Sequence, residues 1–376
     1  MSLSPGNLPV SEYIRKVSQS FLIFGFIGPL YSMNNSNNNR VRHRVVSGAR
    51  TTGPFHLGNY HGALKNWVKL QSTHDCFIFA ADWHALTTEY EHPEKIRQYT
   101  MEMALDWLGA GLDPKLSTLF VQSQVPEHAE LQVLLAMITP LSWLERVPTY
   151  KELKTQLKEK HLATYGFLGY PVLQSADILI YKPEFIPVGE DQVSHIELTR
   201  EIARHFNYLY QARTKGPFFP EPKTLLTESS KMPGLDGRKM SKSYHNTIGL
   251  REDPVSVEHK IKTMPTDPAR VKRSDPGEPE KCPVWRFHQT YSSKEVQEWV
   301  QTGCRTAGIG CLECKRPVIE AVIKEQAVIR ERAEPYQKNP GLVKEILREG
   351  SLAAREIASE TVAEVREIMG LLTNDH

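Results

Sequence analysis

The chain has 376 residues, enough for two domains with sizeable cores. Its 46 Lys and Arg against 44 Asp and Glu leave a net charge of +2, so no global positive field marks a nucleic-acid binder and any RNA contact must come from local patches. Five cysteines, four of them gathered late in the chain, do not make the dense, evenly paired framework of a small secreted protein, and they point to a reducing cytoplasm.

Residues 1–43 differ in character from the rest of the chain. The apolar run FLIFGFIGPLY over residues 21–31 is shorter than the roughly 20 residues a membrane-spanning helix needs. The Asn-rich string from Asn34 to Asn39 is no signal-peptidase site. This segment is expected to be an N-terminal extension, disordered or foreign to the native protein. Neither a membrane nor DNA is expected as a partner.

From Arg44 the pattern becomes α/β. Val45-Val46 reads as a short strand ending at Ser47-Gly48, His56 to Gln71 as a helix, Cys76 to Ala81 as a buried strand, Glu94 to Leu108 as an amphipathic helix and Thr118 to Val121 as another strand. This order opens a doubly wound parallel sheet, whose ligands bind beyond the carboxyl ends of the strands. A helical stretch from Glu127 to Lys160 interrupts the alternation before the strand Phe185 to Val188 and the helix Glu190 to Phe206 resume it. After about Asn246 the strands stop, and Val318 to Arg332 and Leu352 to Leu371 are the clearest helices. The expectation is a Rossmann-like catalytic domain over residues 44–245 with a connecting insertion at about 127–168, then an all-α domain over 246–376, each half holding its own core.

Several strings carry chemistry. Lys239-Met240-Ser241-Lys242-Ser243, flanked by Gly234, Asp236 and Gly237, puts two ammonium groups and two hydroxyls on a glycine-hinged loop that can close over a phosphate leaving group; the plainer alternative is a solvated turn. His56-Leu57-Gly58-Asn59 is a turn entering a helix, where Gly58 lets a flat base approach the backbone and His56 can donate to a phosphate oxygen or merely cap the helix. Gly189-Glu190-Asp191-Gln192 comes after a strand end, where a carboxylate can accept ribose hydroxyls or simply favour a helix N-terminus. Tyr170, Gln174 and Asp177 recur at i, i+4 and i+7, so a phenol, an amide and a carboxylate share one helix face and need polar partners. His84 either lines the same pocket or is an ordinary buried histidine. Cys282, Cys304, Cys311 and Cys314 are spaced C-x(21)-C-x(6)-C-x(2)-C, interleaved with Gly303, Gly308 and Gly310 that suggest a loop; four thiolates suit zinc or an iron–sulfur cluster.

With these motifs in this order, residues 44–370 resemble the class I tryptophanyl-tRNA synthetases, in particular the bacterial subset with an iron–sulfur cluster. The resemblance implies activation of L-tryptophan by ATP to tryptophanyl-adenylate and pyrophosphate, then transfer to tRNA(Trp). It also implies Mg2+ with the ATP, a [4Fe–4S] cluster (alternatively Zn2+) on Cys282, Cys304, Cys311 and Cys314, and a homodimer joined through the insertion. Catalytic roles fall on His56, Lys239 and Lys242. Contacts to ATP fall on Arg50, Thr51, Thr52, Gly58, Asn59, Gly189, Glu190, Asp191, Met232 and the loop residues Lys239, Met240, Ser241, Lys242 and Ser243. The tryptophan pocket falls on Val46, Gly48, His84, Tyr170, Gln174, Asp177 and Gln192. Asn59 stands where the fuller family motif has a second His.

Tyrosyl enzymes share the Tyr, Gln, Asp spacing but place a Tyr near the end of the first strand. Val46 offers no partner for a phenol, and a site selecting tyrosine must satisfy that hydroxyl. The competing readings are a tyrosine-specific synthetase, a non-catalytic iron–sulfur RNA-binding paralogue, and another adenylyl or cytidylyl transferase. Arg305, Lys315 and Arg316 beside the cysteines, and Arg270, Lys272 and Arg273, are candidates to meet RNA phosphates. Loss of the cluster is expected to weaken tRNA charging and to spare activation.

Overall fold

Five parallel strands in the order β3-β2-β1-β4-β5 form the centre of the molecule: β1 (Arg44–Arg50), β2 (Asp75–Ala81), β3 (Ser117–Val121), β4 (Phe185–Val188) and β5 (Lys223–Leu226). The computed structural model describes residues 42–147, 164–189, 192–226 and 232–372. The chain winds from β1 outward to β3, then restarts on the other side of β1 with β4, so the strand order reverses between β1 and β4. A crevice at the carboxyl ends of these two strands is the favoured ligand site of such a sheet. β1 runs longer than its apolar residues suggest, because Gly48, Ala49 and Arg50 pair in register with Phe79, Ala80 and Ala81.

The helix after β1 comes in three pieces: α1 (Leu57–Asn59), a π-helical stretch Tyr60–Leu64, and α2 (Lys65–Leu70). Then come α3 (Asp82–Glu89), α4 (Ile96–Ala110), α5 (Glu127–Ala136), α6 (Leu141–Arg146), α7 (Tyr165–Leu179) and α8 (Val193–Leu209). The expected helical stretch to Lys160 is thus two helices as far as Arg146, and its remainder from residue 148 lies outside the described residues. Beyond β5 the elements are helical: α9 (Pro254–Thr263), α10 (Pro283–Tyr291), α11 (Lys294–Arg305), α12 (Cys311–Lys338) and α13 (Pro340–Met369).

Each sheet face carries one apolar core. One face buries Val45, Ile78, Ala80 and Leu119 with Leu57, Trp107, Phe287, Val318, Val322 and Ile329. The other buries Val46, Phe77, Phe79 and Phe120 with Val172, Ile196, Ala354 and Val362. Both therefore mix residues from before and after position 246, which overturns the expectation that the α/β half has a core of its own. Side chains of helices predicted to form a separate module complete the burial of both sheet faces.

The last helix wraps the edge of the sheet. α13 packs on β3 with Gly350 directly against the Leu119 carbonyl, in a space where no Cβ fits. The hydroxyl of Ser351 accepts from the Val121 amide at 3.3 Å. An exposed edge would otherwise present unpaired amides to solvent or to another chain.

Candidate active site

The turn leaving β1 is shaped by one glycine and one histidine. Gly53 has φ +130°, in the region that favours glycine, and a Cβ there would stand 3.1 Å from Lys242 Nζ. His56 caps α1: its Nδ1 accepts from the Asn59 amide at 3.3 Å, while the Asn59 side-chain oxygen accepts from the His56 amide at 3.1 Å. Burial, with the charge of Lys242 added, drops the His56 pKa to about 4, so the ring is neutral at physiological pH.

The Lys239–Ser243 loop lies closed over this turn. The Gly58 amide donates to Met240 Sδ at 3.3 Å, and Met240 is buried beside Met232. A Cβ on Gly58 would come within 2.9 Å of His56 Nδ1 and 3.2 Å of Met240 Cβ. The space expected to receive a base is therefore bounded by the loop's own methionine. The two lysines differ: Lys239 is exposed, whereas Lys242 is half-buried, and desolvation lowers its pKa to about 8, opposed by the negative charge of Asp106. Ser241 is half-buried and Ser243 exposed.

Three polar residues that hold this arrangement were not singled out from the sequence. Asn246, almost fully buried, pins the loop by donating to Asp236 at 2.7 Å and to the Lys239 carbonyl at 3.1 Å, and by accepting from the Ser241 amide at 2.8 Å. Asp106 accepts from the Phe55 amide at 2.7 Å and from Arg251 Nε at 2.6 Å. Gln326 donates to the Gly249 carbonyl at 2.7 Å, opposite the backbone bridge that Gly249 makes with His56. Asp106 could have been found, as one acid in the apolar stripe Met103, Ala104, Trp107, Leu108.

Arg50 and Thr51 end β1. The Arg50 guanidinium donates to the Thr88 hydroxyl, and the Thr51 hydroxyl is fully buried without a hydrogen-bond partner. Thr52 closes the turn by donating its amide to the Arg50 carbonyl at 2.9 Å. Gly189 and Gln192 flank the start of α8 and are bridged by a 3.0 Å backbone bond, while Glu190 and Asp191 lie outside the described residues.

Tyr170, Gln174 and Asp177 do share α7. Asp177 is enclosed, and its carboxylate accepts from Gln122 at 2.7 Å and contacts His84 Nε2 at 2.7 Å and His128 Nδ1 at 2.6 Å. His128 reaches on to the Tyr181 hydroxyl at 2.6 Å. Although burial opposes ionisation, the two histidines hold the Asp177 carboxyl down to about 2. His84 is thus half of a buried pair with Asp177, and Gln122 and His128 join a network the sequence did not announce. The Tyr170 hydroxyl lies 3.4 Å from His195 Nε2, Gln174 is half-buried, and Val46 is buried against the same helix. The Cβ position of Gly48 is filled by the Phe79 ring.

The four late cysteines are free thiols. Cys282 caps α10, Cys304 lies within α11 and Cys311 and Cys314 form the first turn of α12, so three of the four are helical where a loop was expected. They lie near enough that the other three all raise the Cys314 thiol, which burial carries to about 12. Among the described residues no group of three or more His, Cys, Asp or Glu side chains is arranged to hold a metal ion. Lys315, expected to meet RNA, is buried, with Nζ donating to the carbonyls of Lys262 at 2.7 Å and Met264 at 2.6 Å. Arg270 is likewise committed inward, to the carbonyl of Ile309 at 2.5 Å and that of Arg273 at 3.1 Å. Arg305 pairs with Glu280 at 2.6 Å, and Lys272, Arg273 and Arg316 remain exposed.

The family profile described as tRNA synthetases class I (W and Y) matches residues 38–325. The chain is 53% identical to the tryptophan–tRNA ligase of Ralstonia nicotianae, over 87% of this chain and 98% of the relative. It is also 53% identical to that of Thermotoga maritima, over 88% and 99%. A crystal structure of the Campylobacter jejuni tryptophanyl-tRNA synthetase complexed with ADP and tryptophan superposes with a TM-score of 0.77 at 33% identity, covering 87% of this chain and all of that one. The closed Lys239–Ser243 loop over the His56 turn, the β1/β4 crevice and these likenesses agree, and the chain belongs to the class I tRNA synthetases of the tryptophan and tyrosine type, in their tryptophan–tRNA ligase branch.

Proposed function

We propose that this chain activates L-tryptophan with ATP and transfers it to tRNA(Trp), with the Lys239–Ser243 loop and the His56 turn as the catalytic machinery. The observation that carries the reading is the seating of Lys242 against Gly53 beside a neutral His56. Activation requires the amino-acid carboxylate to attack the α-phosphorus of ATP while pyrophosphate leaves. Catalysis then rests on positioning and on cations at the departing oxygens. Lys242 is the ammonium placed for that role, with Lys239 exposed on the same loop as a second. Neutral His56 donates a hydrogen bond without adding charge. Thr51, whose buried hydroxyl has no protein partner, is placed to receive one from the ligand. Mg2+ arriving with the nucleotide would supply further neutralisation of phosphate charge.

The tryptophan pocket is assigned to Val46, Gly48, His84, Tyr170, Gln174, Asp177 and Gln192. Val46 provides an apolar wall, and Asp177 anchors the polar end. With three of its roughly four lone-pair sites engaged, Asp177 has room for one more donor such as an indole N–H. The four cysteines are assigned to a [4Fe–4S] cluster. Cys282, Cys304 and Cys311, all near enough to act on the Cys314 thiol, would hold it together with Cys314 as thiolates. The homodimer is assigned to the exposed apolar residues Val133, Met137, Leu141 and Tyr165 of the insertion, with Leu86 and Tyr90, which line a cavity of about 350 Å³ together with Tyr165 and Tyr170. Pyrophosphate exchange with each of the twenty amino acids tests the reading. Stimulation by tryptophan alone is the expected result, and equal stimulation by tyrosine would defeat it.

A further inference from the structure

Asp106 is a nearly fully buried carboxylate on α4, a helix whose neighbouring residues Met103, Ala104, Trp107 and Leu108 are all core. A buried ion pair is weak evidence for stability, because desolvation offsets most of the attraction, so its position calls for another reason. Three segments meet on it. Its Oδ2 accepts from the amide of Phe55, the residue before His56, at 2.7 Å. Its Oδ1 accepts from Arg251 Nε at 2.6 Å, and Arg251 also holds Glu102 at 2.5 Å. Arg251 comes directly after the backbone that pairs with the catalytic turn: the Leu250 amide donates to the Phe55 carbonyl at 2.9 Å and the Leu57 amide to the Ile248 carbonyl at 3.0 Å.

We infer that Asp106 is a positioning residue for the activation step, fixing the His56 turn through Phe55 and supplying the negative charge that keeps Lys242 seated as a cation in the closed loop. The inference rests on the function proposed above. Among the described residues, the titratable groups that act on Lys242 are His56 from the turn and Asp106 from α4; burial pushes the Asp106 carboxyl up, while Arg251 and the Phe55 amide draw it back towards the ionised form. His56 is neutral in the working range, so the carboxylate is the group that offsets the cost of bringing the ammonium out of water.

Asp106→Asn keeps an acceptor for the Phe55 amide and removes the charge. It is expected to lower kcat for tryptophan-dependent pyrophosphate exchange about tenfold or more. Tryptophan affinity should stay unchanged, and the alkaline limb of the pH profile should move to lower pH. Asp106→Glu keeps the charge and is expected to leave that limb near its wild-type position. Adding Lys242→Ala to Asp106→Asn should cost little more than either alone, since both act through one ammonium group. If the limb stays put in Asp106→Asn, or moves as far in Asp106→Glu as in Asp106→Asn, the proposal is overturned, even if melting temperatures fall. Should Asp106→Asn not fold, Asp106→Ser, which also offers the Phe55 amide an uncharged acceptor, decides by the same shift. Exchange absent from the wild-type protein defeats the function, whereas wild-type kcat in a folded Asp106→Asn variant defeats the role of Asp106.

Discussion

His61 Nε2 lies 3.0 Å from Glu325 Oε2, and both meet the Tyr291 hydroxyl at 2.8 Å. His61 sits in the π-helical stretch directly after the catalytic turn, Tyr291 ends the helix capped by Cys282, and Glu325 lies on the helix that begins with Cys311 and Cys314. The Cys-bearing helices are thus bonded to the helix that presents His56.

Replacing Cys311 with Ser is therefore expected to depress tRNA-independent activation together with charging, contrary to the division of labour that the sequence suggested. Iron content and 400 nm absorption report the proposed cluster, and pyrophosphate exchange reports the coupling. Activation at wild-type level in a bleached variant would break the link between α12 and the catalytic turn.

The pH profile of activation should be flat through the ordinary histidine range and fall above about pH 8. His56 has a folded pKa of about 4 and is already neutral, whereas Lys242, at about 8, loses its charge as pH rises through that value. Lys242→Arg should abolish the alkaline fall, because a guanidinium stays charged throughout. An inflection near pH 6.5 that disappears in a His56 variant would contradict the assignment.

Asp177→Ala strips the acceptor from His84, Gln122 and His128 in a closed interior. It should cost on the order of 3–5 kcal/mol in denaturant unfolding, beyond any loss of tryptophan binding. The folded-state pKa is depressed to about 2, so the carboxylate's contribution is complete above its unfolded pKa and fades as pH falls towards 2. Acid titration of stability should show this fade in the wild type and lose it in the variant. A variant as stable as the parent would mean that the network carries no weight.

Lys315→Ala should lower the melting temperature while leaving the tRNA affinity of the folded protein unchanged, since Nζ is spent on the carbonyls of Lys262 and Met264. Arg316→Ala, on the exposed side of the same turn, is the variant to compare in a filter-binding assay at low salt. Weaker tRNA binding by Lys315→Ala at unchanged stability would return that residue to the RNA surface.

The legible part of the sequence was local. Alternating strand and helix, a glycine turn before a helix, and a Lys/Ser loop between glycines all declare themselves within a dozen residues, and each falls where the pattern puts it. β5 escaped because it is four residues long and starts with a lysine at the sheet's edge. The break at Tyr60–Leu64 escaped because no proline or glycine pair enforces it; Gly62 alone is a weak signal. Lys315 read as surface because its type usually is, and only the fold shows two carbonyls waiting for it. The cores misled most: an apolar stripe on Val318–Ile329 shows that a helix is covered, not by what, and its main cover is α4, where Gly109 lies against the Ile329 carbonyl and Ala333.

Gly350 lying on the Leu119 carbonyl bears on how the protein is made. β3 emerges from the ribosome about 230 residues ahead of the helix that shields its outer edge, as the Val121–Ser351 separation shows. Throughout that interval the nascent sheet has an open flank and two half-covered faces. Emergence of the last helix, not completion of the last strand, is then the event that closes the sheet's edge. Truncations that spare every catalytic motif but remove Pro340–Met369 should accumulate as aggregates instead of as a smaller enzyme.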